Sequence, residues 1–296
     1  MKHKLFKSIA AWIAGLVAMM ALQAPAEGQS HPRLSPDGTR IAHFRFDLDA
    51  GTADILLTDR VSGETTPLVT GHAWSVNPGW APDGQSLVFI GAEAGVADTW
   101  DVYELDLTDM AVTALTQTGA REMHSQMAPD GPWLSFVRMT DGPDVWVLNR
   151  QTGEARRLAA TSDRDFHPKW SPDGQRLVFD RTTGAGETLI MDVTIDGDRQ
   201  AVVARASGET RLRLPDIADN GDIFAVASTG EDYSLVRFST GQPAEPILRA
   251  LAGEQFGAFD LAGDGDSVAL SITGADGRIR LYLVDMASGS RDLVYE

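Results

Sequence analysis

Across residues 27–296, apolar and polar positions alternate in short runs. Residues 175–181 (Gln-Arg-Leu-Val-Phe-Asp-Arg) are one of them. Alternation with a period of two predicts half-buried β-strands. Pro-Asp-Gly turns separate the runs, with clear copies at Ser35-Pro36-Asp37-Gly38, Ala81-Pro82-Asp83-Gly84, Ala128-Pro129-Asp130-Gly131 and Ser171-Pro172-Asp173-Gly174. Degenerate copies follow at Ala218-Asp219-Asn220-Gly221 and Ala262-Gly263-Asp264-Gly265. In such turns proline fixes φ and glycine accepts a positive φ. The glycines stand at 38, 84, 131, 174, 221 and 265, giving intervals of 46, 47, 43, 47 and 44. A period in the forties with strands inside it predicts a β-propeller with one four-stranded blade per repeat.

Repeat 4 shows the plan. Strands are expected at 166–171, 175–181, 187–193 and 199–203, the last pair joined by an Asp196-Gly197-Asp198 hairpin. Third strands recur at Asp54-Ile55-Leu56-Leu57, Asp101-Val102-Tyr103-Glu104, Asp144-Val145-Trp146-Val147, Tyr233-Ser234-Leu235-Val236 and Leu281-Tyr282-Leu283-Val284. Repeat 2 lacks the hairpin glycine, reading Leu107-Thr108-Asp109-Met110. Four positions before the repeat glycines stand Leu34, Trp80, Met127, Trp170, Ile217 and Leu261, all large and apolar, which marks them as inter-blade packing. The expected fold is all-β: a six-bladed propeller of four antiparallel strands per blade. Because the repeats begin at a first strand and end at a fourth, the ring is expected to close without a shared strand.

Residues 1–26 have the pattern of a secretory signal. Lys2, Lys4 and Lys7 form the basic part, 8–22 the apolar part, and Ala24-Pro25-Ala26 the small-x-small site. Cleavage after Ala26 is preferred, since a cut after Ala24 leaves proline first. The apolar part is about 15 residues, short of the roughly 20 that cross a bilayer. Removing 26 residues leaves 270, six times 45, so the repeats account for all of 27–296. The expected location is the periplasm or the medium, with no membrane insertion after cleavage. The sequence has no cysteine, hence no disulfide and no lipid-modified cysteine. Its formal charge of −17 includes three leader lysines and no leader acid, so residues 27–296 carry −20. That surface repels nucleic acid and anionic membranes, and no nucleic-acid partner is expected. Lys169 is the only lysine beyond residue 26.

The stretch His-Pro-x-Trp-Ser-Pro-Asp-Gly at 167–174, followed by Leu177-Val178-Phe179, resembles the WD-like repeat of TolB-type propellers. The resemblance covers all six repeats, strongly in the first four and weakly in the last two. TolB proteins carry a further N-terminal α/β domain that has no counterpart here, and they use that region to contact the inner-membrane part of their system. The resemblance therefore implies a periplasmic binding propeller, and leaves open whether it belongs to a Tol-type system. The same repeat occurs in prolyl oligopeptidase-type peptidases, which need a hydrolase domain with a Gly-x-Ser-x-Gly elbow. No such motif occurs in this sequence, so peptidase activity is not expected.

Propeller symmetry would bring equivalent inner-strand positions into rings around the channel. Seven residues before each glycine the ring reads His31, Asn77, His124, His167, Leu214 and Ala258. Nitrogen ligands converging across blades suit a transition metal; repeat-consensus packing explains the same residues. Oligogalacturonate lyases, a similar propeller family, hold a metal through histidines and a glutamine, and Gln126 lies near His124. Two residues closer to the turn the ring reads Arg33, Gly79, Gln126, Lys169, Asp216 and Asp260, which predicts the pairs Lys169–Asp216 and Arg33–Asp260. Repeats 3 and 4 share an Arg-acid-x-His unit, Arg121-Glu122-Met123-His124 and Arg164-Asp165-Phe166-His167, and repeat 5 adds Arg211 and Arg213. These side chains either form a cationic mouth that focuses an anionic ligand, or are neutralised by Glu122 and Asp165. Asp47, Asp49 and Asp54, and the Asp264-Gly265-Asp266 stretch, lack EF-hand spacing and are expected to be solvated. Trp74 and Trp100 are assigned to core or rim packing, with stacking on a sugar or peptide as the alternative.

The resulting expectation is a non-catalytic, monomeric protein with neither cofactor nor metal. It would bind a protein or an anionic envelope ligand through His31, Asn77, Arg121, His124, Arg164, His167, Arg211 and Arg213. The alternative is a metal-dependent carbohydrate-active enzyme of lyase type, using His31, His124 and His167.

Overall fold

A computed structural model describes residues 29–47, 51–68, 74–92, 100–262 and 265–296. The leader assigned to 1–26, Asp49 and Asp264 lie outside them. Each repeat folds as an antiparallel meander, because alternating runs are joined by turns that reverse the chain within a few residues. Repeat 1 forms β1 Gln29–Leu34, β2 Arg40–Asp47, β3 Thr52–Asp59 and β4 Thr65–Leu68. Repeat 2 forms β5 Trp74–Trp80, β6 Ser86–Ala92, β7 Asp101–Asp106 and β8 Val112–Ala114. Repeat 3 forms β9 Arg121–Met127, β10 Trp133–Met139, β11 Pro143–Asn149 and β12 Ala155–Arg157. Repeat 4 forms β13 Arg164–Trp170, β14 Arg176–Thr182, β15 Thr188–Thr194 and β16 Gln200–Ala206. Repeat 5 forms β17 Thr210–Ile217, β18 Ile223–Thr229, β19 Asp232–Phe238 and β20 Glu245–Arg249. Repeat 6 forms β21 Gln255–Leu261, β22 Ser267–Thr273, β23 Ile279–Asp285 and β24 Arg291–Tyr295.

The architecture is an all-β propeller with four-stranded antiparallel blades. Repeats 3 to 6 are four separate blades. Strands β1–β8 count as one sheet, because a single parallel pair, Ala53 with Trp74, joins the meanders of repeats 1 and 2. Second strands supply the deepest core, where Phe44, Phe89, Phe136 and Phe179 are fully buried. The residues four before each glycine pack between repeats. Trp80, Met127, Trp170 and Ile217 are buried, while Leu34 and Leu261 are partly buried against the neighbouring repeat. Both tryptophans also tie repeats together: Trp80 Nε1 donates to the Arg33 carbonyl at 2.9 Å, and Trp170 Nε1 to the Gln126 carbonyl at 3.1 Å.

Repeat 2 manages without its hairpin glycine. Met110 itself takes a positive φ of 61°, at the place that Gly63 and Gly153 fill in repeats 1 and 3. Repeat 6 packs on repeat 1 through Ile41, Ala269 and Leu281, with Leu34, Val294 and Tyr295 around them. Among the described residues no strand of one pairs with a strand of the other.

Candidate functional site

Every inner strand (β1, β5, β9, β13, β17, β21) breaks register midway through a bulge. In five of them the bulge holds a non-glycine residue at positive φ: His31 at 59°, Asn77 and His124 at 54°, His167 at 52° and Leu214 at 55°. Asparagine and histidine tolerate that region better than most side chains, whereas a leucine there carries about 1–2 kcal/mol of strain. Proline follows at 32, 78, 168 and 215. It has no N–H, so the ladder bond lost at the bulge strands no donor. Local backbone chemistry thus explains why His-Pro and Asn-Pro recur. It does not explain what surrounds the imidazoles.

The bulges bring His31, His124 and His167 together. Ring centroids are 5.2 Å apart for His31–His124, 4.4 Å for His124–His167 and 6.4 Å for His31–His167. One nitrogen from each lies within 4.8 Å of the others, a donor set that can hold a metal ion. Burial, helped by Arg33, pushes the His31 pKa well below its ordinary value. Burial and then the neighbouring imidazoles do the same for His124. Both are neutral at pH 7. His167 Nδ1 sits 2.7 Å from Asp180 Oδ1, which also accepts the Leu214 amide at 3.0 Å. Asn77 is buried with neither amide atom hydrogen-bonded, and buried His124 Nδ1 and Gln126 Oε1 likewise have no partner. Each such atom costs about 1–3 kcal/mol unless something satisfies it.

At the neighbouring level both predicted cross-repeat ion pairs form. Lys169 Nζ meets Asp216 Oδ2 at 2.7 Å, and Arg33 Nη1 meets Asp260 Oδ1 at 3.4 Å. Lys169 also reaches Asp260 Oδ1 at 2.6 Å, so four buried side chains from repeats 1, 4, 5 and 6 form one network. Backbone amides complete it: Leu34 N donates to Asp260 and Leu261 N to Asp216. Burial and the nearby Asp260 push the Asp216 carboxyl up, against the pull of Lys169.

Within the two arginine units, the acids pair with arginines of the adjacent second strands. Glu122 and Asp165 point into the blades. Glu122 is held by Arg138, the residue directly opposite on β10, at 2.9 Å. Asp165 takes both arms of Arg181, its opposite on β14, at 2.7 and 2.8 Å. Asp165 is thereby turned away from Arg164. Arg164 is exposed, with its guanidinium 5.6 Å from the Phe166 ring, and Phe166 lies 6.4 Å edge-on to His124. Arg211 is half-buried and donates to the carbonyls of Gly208 and Thr210, while Arg121 and Arg213 are also half-buried. From His31 a run of rings leads away through Phe44, Phe46, Trp74 and Trp100, each 5.1 to 5.9 Å from the next. Trp74 and Trp100 are partly buried rim residues of this run.

Sequence reasoning overlooked Asp180. The residues at the same place in repeats 1, 2, 3 and 5 are Phe44, Ile90, Val137 and Val226, and repeat 6 has buried Ser271 there. The only carboxylate among these aligned second-strand positions was the available signal, and the structure buries it.

The profile of the TolB β-propeller domain matches residues 19–258. The chain belongs to the TolB β-propeller domain family. It is 28 % identical over 119 residues to the uncharacterized peptidase YuxL of Bacillus subtilis, covering 38 % of this chain and 18 % of that one. It is 26 % identical over 126 residues to a TolB homolog of Chlorobium luteolum, covering 42 % of this chain and 27 % of that one. The matches therefore span well under a third of these curated relatives. The putative TolB of Agrobacterium tumefaciens superposes with a TM-score of 0.67 at 19 % identity, covering 82 % of this TolB-like chain and 88 % of that one, which shows the fold. Solved neighbours also include peptidases and an oligogalacturonate lyase.

Proposed function

We propose that this TolB-like chain is an exported, six-bladed binding propeller that captures an anionic ligand at its channel mouth. The meanders of repeats 1 and 2 are read as two blades bridged by the Ala53–Trp74 pair. The ring is read as closing on side chains alone, through the Arg33–Asp260 pair and the apolar seam. Residues 1–26 direct the chain to the periplasm or the medium. The ligand is a carboxylate-bearing molecule or the acidic segment of a protein, met by Arg121, Arg164, Arg211 and Arg213.

The observation that carries this reading is the inward pairing of Glu122 and Asp165 with Arg138 and Arg181, which leaves Arg164 uncovered beside Phe166. A positive mouth on an acidic protein concentrates anions locally, and the pull is screened by salt. Binding of a fluorescent hexaglutamate peptide, followed by thermophoresis at low and high salt, tests it. Arg164→Ala with Arg211→Ala should lower the affinity at least tenfold with the melting temperature unchanged. Undiminished binding by the folded double variant refutes the assignment. The same preparation, incubated with oligogalacturonate, should return it uncleaved.

A further inference from the structure

We propose that His31, His124 and His167 bind one first-row transition metal ion inside the channel, with Asp180 as the positioning residue behind His167. The site goes beyond the anion mouth and rests on separate residues.

Three features converge. The first is geometry: the three candidate nitrogens lie within 4.8 Å of one another. Metal–nitrogen distances of about 2.1 Å require nitrogens roughly 3.4 Å apart in a tetrahedral site, so small imidazole rotations close the set. These rings sit on separate repeats, and each rotates about its own side-chain bonds.

The second is the Asp180–His167 contact. Metal-bound histidines characteristically donate their other ring N–H to a carboxylate, which fixes the tautomer and raises the basicity of the ligating nitrogen. With Nδ1 given to Asp180 at 2.7 Å, Nε2 of His167 is the nitrogen left for an ion. The left-handed bulge accounts for a histidine at 167. It gives no reason for a buried carboxylate at 180, where repeats 1, 2, 3 and 5 carry Phe44, Ile90, Val137 and Val226 and repeat 6 carries Ser271.

The third is polar demand. Asn77, on the same register between His31 and His124, is 2 % exposed with both amide atoms unpartnered, and His124 Nδ1 is buried without a partner. Buried polar groups that lack protein partners mark a missing ligand, ion or water. On the remaining two repeats the register is apolar, Leu214 and Ala258, so no protein donor competes there for coordination positions. The nearby cations Lys169 and Arg33 are balanced by Asp216 and Asp260, which removes the charge that would oppose a dication.

The donor chemistry sets the ion class. Three imidazoles without a carboxylate suit zinc, iron, nickel or copper, whereas calcium, magnesium and manganese favour oxygen ligands. An ion held by three histidines keeps open positions, which an incoming carboxylate could occupy.

The test uses protein stripped with chelator and titrated calorimetrically with Zn²⁺ or Ni²⁺ alone. One-to-one binding is expected, with an imidazole-nitrogen shell in X-ray absorption. The variant pair His124→Asn and His167→Asn keeps a residue that the left-handed backbone accepts, as Asn77 shows. It should lose at least 100-fold in affinity while its metal-free melting temperature stays close to the parent. Asp180→Ala should lose 10- to 100-fold, and Asp180→Glu should recover part of it, which a purely structural role would not produce. Arg164→Ala with Arg211→Ala should bind metal normally. No binding by folded protein, or equal affinity in the double-histidine variant, overturns the site. Failure of the hexaglutamate assay alone leaves it standing.

Discussion

His43 should make the stability of this propeller fall in mild acid. It lies on β2 at the seam between the first and last repeats, 1 % exposed, with Nε2 2.9 Å from Thr58 Oγ1 and its ring 5.1 Å from that of Tyr295. Burial, with a smaller push from Arg45, lowers its pKa from 6.5 to about 4. The unfolded chain therefore binds more protons than the folded one between those two values. The stabilisation is complete above pH 6.5 and is lost as the pH falls towards 4. The full loss is about 3.4 kcal/mol at 1.36 kcal/mol per pH unit, of which roughly 1.4 kcal/mol is gone at about pH 5.5. The corresponding residues of repeats 2 to 4 are Phe89, Phe136 and Phe179, so phenylalanine suits the site. Urea unfolding of the parent and of His43→Phe at about pH 7.5 and pH 5.5 isolates the effect, since the other buried histidines contribute equally to both proteins. The parent should lose about 1.4 kcal/mol more than the variant between the two conditions. Equal losses, to within about 0.5 kcal/mol, would refute the argument.

Two further changes test the packing. Lys169→Met leaves Asp216 and Asp260 buried without their shared cation and should cost about 3–5 kcal/mol in urea unfolding; a cost below about 1 kcal/mol would show the network relaxing onto water. Met110→Gly removes an exposed side chain from a positive-φ hairpin position and should stabilise by about 0.5–1 kcal/mol, read as a higher midpoint.

Much of the blade repeat is legible in the sequence. Turn spacing set the repeat. Register counting from the glycines paired Lys169 with Asp216 and Arg33 with Asp260, because symmetry converts sequence position into angular position. The same counting could not foresee Lys169 reaching Asp260 as well, which depends on the reach of one flexible side chain. The fate of Glu122 and Asp165 hinged on cross-strand pairing. Arg138 and Arg181 each lie 16 residues downstream of their acid, a repetition visible in the sequence but meaningless until β9 and β13 are set in register. His43 and Asp180 belong to none of the inner-strand registers that the glycine spacing reveals. Both sit on second strands, where a polar residue is the exception and its environment comes wholly from packing.

The burial of Lys169 has a practical consequence. Residues 27–296 hold no other lysine, and this ammonium is locked between two carboxylates in the interior. Acylating dyes, biotin esters and amine-directed crosslinkers will find no side-chain target on the folded propeller. Partners will have to be captured through carboxylate or photochemical reagents. Any amine label the native protein does accept will sit at its N-terminal amine or on Lys2, Lys4 or Lys7, all ahead of the propeller, which offers a ready way to tether it in one orientation.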